Sequence, residues 1–165
     1  MNKYSLFIFI GLISLSLANA AAEILPIKSS ATAHVLRLGP DEDPKVVLMD
    51  YVIKNKISAA SIASVVGSLK VTVMRYANQK DTVKLEGFRE VVALSGTLGA
   101  TSGSHLHLSV SDGQGTTLGG HLGEGSKVYT TLEIVLLSYP DLEFERVLDP
   151  KTTYQELSIK PKSKK

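Results

Sequence analysis

"SGSHLHLSVSDGQGTTLGGHLGEG", residues 102–125, holds three of the four histidines of this chain. Within it, "HLHLSVS", 105–111, alternates strictly. Side chains two apart along a strand point to the same face. His105, His107, Ser109 and Ser111 therefore share one face, while Leu106, Leu108 and Val110 point the other way, into a core. "DGQG", 112–115, is turn chemistry: Asp112 offers a local side-chain acceptor and glycine accepts positive φ. The chain should reverse there and lay "TTLGGHL", 116–122, beside the first strand. Strand, turn and strand make an antiparallel hairpin, and the rest of the fold must be built around it.

The length of the turn decides where His121 points. With a three-residue loop, 113–115, Asp112 sits opposite Thr116, and His107 then sits opposite His121 on the same face. With a four-residue loop, His121 would sit opposite Leu106 and face the core, because a one-residue slip flips every side chain. The three-residue loop ending in a left-handed glycine is a common hairpin connection. A bulge at Gly119-Gly120 could alter the count. If the facing register holds, cross-strand Cβ atoms lie about 4.5–5.5 Å apart. Three imidazoles can then meet at one point and bind a divalent metal, leaving a fourth position open. Such a set suits Zn²⁺, and also nickel, copper or iron. Gly119, Gly120, Gly123 and Gly125 add little bulk and leave room for a cavity. The alternative is three strand histidines that are solvated or bonded to serines.

Working outward, "MNKYSLFIFIGLISLSLANA", 1–20, has one positive charge, Lys3, then an apolar run and a small-residue end at Ala18 and Ala20. This is the three-part pattern of a secretory signal peptide. The run is short for the ~20 residues of a spanning helix, so cleavage and export are expected, with an uncleaved anchor as the alternative. About 145 residues then remain, one ordinary domain. The formal charge is +2, or +1 without Lys3, which points to neither nucleic acid nor an acidic surface as partner. There is no cysteine, hence no disulfide framework and no thiolate nucleophile or ligand. There is no tryptophan to build a carbohydrate-stacking platform.

Residues 21–33 read as a flexible lead-in and "HVLRL", 34–38, as a first strand. "KVVLMDYVIKNK", 45–56, is the main helix: Asp43 can cap it, Pro44 suits its first position, and Val46, Met49, Val52 and Ile53 recur at helical spacing. Strands follow. "SAASIASVVGS", 58–68, is small and β-branched, with helix as its alternative. "LKVTVMRYA", 69–77, alternates, and 82–99 is either two short strands around Gly87 or one long bulged strand. "KVYTTLEIVLLSY", 127–139, suggests partial burial on both faces, and "EFERVLDP", 143–150, is a last short strand. Residues 158–165 read as a basic, disordered tail. One helix with about seven strands joined by short turns is an α+β arrangement.

These residues resemble the PPC domain, named for its occurrence in plants and prokaryotes. The resemblance lies in "GSHLHLSVSDGQGTTLGGHL", "TLEIVLL", "GSLKVTVMRYA", "LEGFREVVALSGTLG" and "FERVLDPKTTYQEL", and covers roughly 34–157. It implies an α+β domain on a mixed, mostly antiparallel sheet that assembles as a homotrimer. It also implies that His105, His107 and His121 match the histidines that bind a metal, usually zinc, in prokaryotic members. In plants the domain accompanies AT-hooks that contact DNA. No Arg-Gly-Arg core occurs here, and near-neutral charge opposes a DNA partner.

Three functions follow as alternatives. One is an exported, zinc-bearing trimeric module that binds an unknown ligand or partner. Another is a metal-dependent hydrolase or lyase at the same site. The third is a DNA-associated regulator. For catalysis Glu133 is the candidate: a glutamate in an apolar run needs a partner or stays protonated. It could orient a histidine, act as general base or satisfy Arg89. Ser109, Gly119 and Gly120 are expected to line the site, whereas Asp112 belongs to the turn and His34 lies outside it.

Overall fold

The computed structural model describes residues 26–162. The leader segment 1–20, the start of the lead-in and the last three residues of the tail lie outside them. Along the described chain run β1 (Thr32–Leu38), α1 (Pro44–Lys54), β2 (Ala60–Arg75), β3 (Val83–Gly99), β4 (Gly103–Ser111), β5 (Thr117–Leu122), β6 (Lys127–Ser138), β7 (Leu142–Leu148) and β8 (Gln155–Pro161). This is the expected α+β class, with one helix and eight strands in two sheets. Six strands form a sheet in the order β1-β6-β2-β3-β4-β5, and β7 and β8 form a separate hairpin. Every pairing is antiparallel, so the sheet is not mixed among the described residues. The long strand β2 also pairs with β5 through Met74–Leu122 and Arg75–His121. That contact closes β2, β3, β4 and β5 into a ring and covers the outer edge of β5 at His121 and Leu122.

The two long strands are continuous where the sequence suggests breaks. β2 passes through Gly67, whose φ of +142° suits glycine, and a Cβ there would collide with the backbone of Thr131 on β6. β3 runs through Gly87 as one strand and shifts register between Val91 and Ala93. Bulges keep long strands paired while bending them. The bending lets one sheet wrap a core of Leu69, Met74, Leu98, Val110, Leu132, Ile134 and Leu136, each no more than 1% exposed.

The helix corrects one expectation. Its buried residues are Pro44, Leu48 and Val52, one row four residues apart, while Val46 and Ile53 are exposed. Its start fixes this rotation. The Asp43 carboxylate accepts from the amides of Lys45 at 2.9 Å and Val46 at 3.3 Å, and its other oxygen accepts from Gly125 N–H at 2.6 Å. One cap thus ties α1 to the loop that follows β5.

The tail is corrected too. Residues 155–161 form β8, and its run past 157 is ordered pairing with β7 rather than a loose end. Leu157 packs against a small cluster of Ala59, Leu142 and Phe144, and Lys160 meets Glu145 at 2.5 Å. Among the described residues no helix is long and apolar enough to cross a membrane.

Candidate metal centre

The β4–β5 hairpin has the three-residue loop. Asp112 N–H donates to Thr116 C=O at 3.0 Å, and Gly115 N–H returns to Asp112 C=O at 3.0 Å. Gly115 has φ +83°, the left-handed conformation that closes such a loop. The Asp112 carboxylate accepts from the amides of Gln114 and Thr116, each at 2.9 Å. With the loop fixed, Ser111 pairs with Thr117 and His107 with His121. Gly119 and Gly120 do not shift the count.

The three imidazoles converge. His105 Nε2 lies 3.2 Å from His107 Nε2. Ring centroids are 4.9 Å apart for His105–His107, 5.1 Å for His105–His121 and 4.5 Å for His107–His121. One ligand nitrogen from each ring lies within 4.8 Å of those of the other two, and the cluster could hold a metal ion. Nitrogens at about 2.0–2.1 Å on a tetrahedral Zn²⁺ stand roughly 3.3 Å from one another, and the His105–His107 pair already meets that spacing. The donor set therefore fits a borderline transition metal.

The sheet holds these rings on its outer face by strict alternation. Leu106, Leu108, Met74 and Leu122, their neighbours in register, are all buried. Glycine permits the tight strand approaches. A Cβ at Gly96 would strike the His105 carbonyl, and one at Gly120 would come within 2.6 Å of Arg75 O. Gly96 also has φ +135°.

The surroundings favour the neutral form of His105 and His121. Partial burial, then the neighbouring His107 and the Arg146 guanidinium, push the His105 pKa below the usual histidine value, with Glu156 pulling the other way. His121 is lowered by partial burial first and then by Arg75. Neutral imidazole is the form that ligates metal. Arg146 is held in place by donating to Thr97 Oγ1 at 3.1 Å, and Thr97 pairs with His105.

Two clefts flank the cluster. One, about 350 Å³, is lined by His107, His121, Ala77, Ala93, Ser109, Gly119 and Gly120 among others. The other, about 260 Å³, is lined by His105, His121, Arg75, Lys45, Thr82 and Glu124. Ser109, Gly119 and Gly120 thus line a cleft together with His107 and His121.

Glu133 does not. It is exposed on β6, opposite Arg37 of β1 and Val66 of β2, and β2 and β3 separate its strand from β4. Leu132, Ile134 and Leu136 fill the core while Glu133 takes the outward parity, so this glutamate is neither buried nor part of the histidine cluster. Arg89 instead donates to the carbonyls of Glu86 and Gly87, each at 3.0 Å. His34 sits apart, bonded to Tyr51 Oη at 2.9 Å and Ser138 Oγ at 2.8 Å. Sequence reasoning missed Arg75, Lys45 and Arg146. None of the three carried a local signal, and Arg75 shares its parity along β2 with Val71 and Val73.

A family model for the Plants and Prokaryotes Conserved (PCC) domain matches residues 26–140. This chain belongs to the PCC family. The PPC resemblance of the sequence is to this family, in a form without an AT-hook. Among solved structures, a hypothetical protein from Salmonella cholerae-suis is 42% identical, with a TM-score of 0.81, covering 83% of this chain and 99% of its own. The metal-containing protein AF0104 from Archaeoglobus fulgidus shares the fold at 24% identity and a TM-score of 0.65, covering 81% of this chain and 97% of its own. A putative DNA-binding protein from Bacteroides thetaiotaomicron shares it at 18% identity and a TM-score of 0.65, covering 79% of this chain and 96% of its own. A curated relative, the "Bifunctional protein GlmU" of Synechococcus sp. (strain JA-2-3B'a(2-13)), is 42% identical over 132 residues, which are 80% of this chain. The PCC chain spans about a fifth of that relative's length, 21%.

Proposed function

We propose that this PCC protein is an exported homotrimer in which His105, His107 and His121 hold one Zn²⁺ per chain and present it to a ligand. One observation carries the metal: three ring nitrogens on a single hairpin lie within 4.8 Å of one another. The metal-containing protein from Archaeoglobus fulgidus, a relative in fold, supports the same assignment. When bound, the ion supplies a Lewis-acid position that three imidazoles leave open to a donor atom of the ligand. The chain's own residues orient the three rings and line the two clefts beside them. We favour a binding module over a hydrolase or lyase, because Glu133, the candidate catalytic residue, stands away from the cluster. A DNA-associated role draws on the descriptions of relatives such as the Bacteroides thetaiotaomicron protein. A formal charge of only +2 gives it little phosphate-neutralising capacity.

Elemental analysis of the purified protein tests the metal. One zinc per chain is expected in the wild type, and a large loss in His107→Ala, because His107 faces His121 across the hairpin and touches His105 along its own strand. A thermal melt run beside it should show His107→Ala still folded, since the core is independent of the outer face. Equal metal content in both proteins would leave the three histidines as separate solvated residues.

A further inference from the structure

The strand register places one more side chain in line with the histidines. His107 on β4 pairs with His121 on β5, and His121 pairs in turn with Arg75 on β2. Adjacent strands lie about 4.8 Å apart, so the three side chains form a row on one face. Arg75 lines the 260 Å³ cleft together with His105 and His121. Its Nη1 donates to the carbonyl of Gln79 at 3.0 Å, which holds the guanidinium in place with most of its five donors still available. Among the described residues Arg75 enters no ion pair. Lys45 lines the same cleft, 3.4 Å from Glu124, so one carboxylate faces two cations. The 350 Å³ cleft, which His121 also lines, is walled by small groups, Ala77, Ala93, Gly119 and Gly120, with Ser95 and Ser109 beside them.

We propose that the site binds a small organic carboxylate, its head group between the histidine-held metal and Arg75 and its short apolar body in the cleft beside Ala77 and Ala93. This rests on the metal assignment above. A divalent ion on three neutral imidazoles, with Arg75 and Lys45 against Glu124, leaves a net positive site that an anion neutralises. A planar guanidinium matches the two oxygens of a carboxylate. His121 lines both clefts, one carrying Arg75 and Lys45 and the other Ala77 and Ala93, so a ligand that spans them needs both an anionic head and a short apolar body.

The test uses the whole protein loaded with Co²⁺, whose visible absorption reports a change of ligand at the metal. Acetate, butanoate and inorganic phosphate are titrated in turn. Butanoate should bind at least about tenfold more tightly than acetate, from burial of two further methylenes, and more tightly than phosphate. Arg75→Gln should weaken butanoate by about tenfold with cobalt stoichiometry unchanged, and Arg75→Lys should fall between. Ala93→Leu should weaken butanoate and spare acetate. Butanoate that binds no better than acetate, phosphate that binds best, or an Arg75→Gln protein that binds butanoate as the wild type does would each overturn the carboxylate assignment and leave the metal site intact. A wild type that takes up no cobalt overturns both. A melt of each variant separates loss of binding from loss of fold.

Discussion

At the scale of single residues, the centre depends on three imidazoles being neutral together. His105 and His121 are both held below the usual histidine value, each by partial burial first. The sign of the consequence follows from linkage. Between the folded pKa and the unfolded value of about 6.5, the unfolded chain binds more protons than the folded one, so stability rises with pH across that window. Metal-free protein should therefore keep its stability above about pH 6.5 and lose some as pH falls through the folded values. Metal uptake should follow the same direction. Protons compete with the ion only as His105 and His121 titrate, so affinity should hold near neutrality and decline as pH falls through their lowered folded values. Zinc titrations from pH 5 to 8 check this, and affinity that rises on acidification would contradict it. Glu133 marks where reading by residue type failed. Its apolar neighbours suggested burial, but alternation along β6 sends Leu132 and Ile134 inward and Glu133 out. Period two, applied without exception, would have placed it correctly.

At the scale of elements, the hairpin was legible because everything that sets its register is local. Loop length, the left-handed Gly115 and the Asp112 acceptor all lie within five residues, and together they fix His107 opposite His121. The same fact makes the turn a point of attack remote from the metal. Asp112→Ala removes two hydrogen bonds from a charged acceptor and should cost about 1 kcal/mol of stability. Looser pairing of β4 with β5 should also weaken zinc several-fold. If zinc binds the folded form as proposed, saturating metal should restore part of the lost melting temperature. Melts with and without zinc test this, and an Asp112→Ala protein equal to wild type in both would mean that the strands alone set the register. Arg75 was not legible, for the opposite reason. It reaches His121 through the β2–β5 pairing, which joins distant parts of the chain and depends on how far β2 bends at its bulges. No local pattern encodes that closure. Strand β8 was missed because its charges suggested a tail, although Leu157 and Ile159 keep the alternation that pairs it with β7.

At the scale of the whole molecule, export and assembly can each be tested directly. If Ala18-Asn19-Ala20 is a cleavage site, protein from the native host should begin at Ala21. Terminal sequencing that finds Met1 in a cytosolic fraction would refute export. The proposed assembly would use the outer face of the sheet. The neighbouring strands β2, β3 and β6 expose Val66 at 58%, Phe88 at 63%, Val92 at 58% and Tyr129 at 42%. The Phe88 and Tyr129 rings lie 4.2 Å apart, an apolar pair facing solvent in the single chain. Apolar side chains concentrated on one face mark an association surface, and closed symmetry lets identical copies cover it for one another. A homotrimer should give a light-scattering mass about three times that of the chain at micromolar concentration. Val92→Asp should shift that mass toward the monomer by placing a charge in the contact. Val92 lies at the register shift of β3 but its side chain is 58% exposed, so the fold is expected to survive, and a melt of the variant checks it. Zinc content measured on the same variant then shows whether each chain holds its ion alone. The three ligands come from one hairpin, so one ion per chain is expected to remain after dissociation. A wild type that runs as a clean monomer would remove the trimer and leave the metal centre standing.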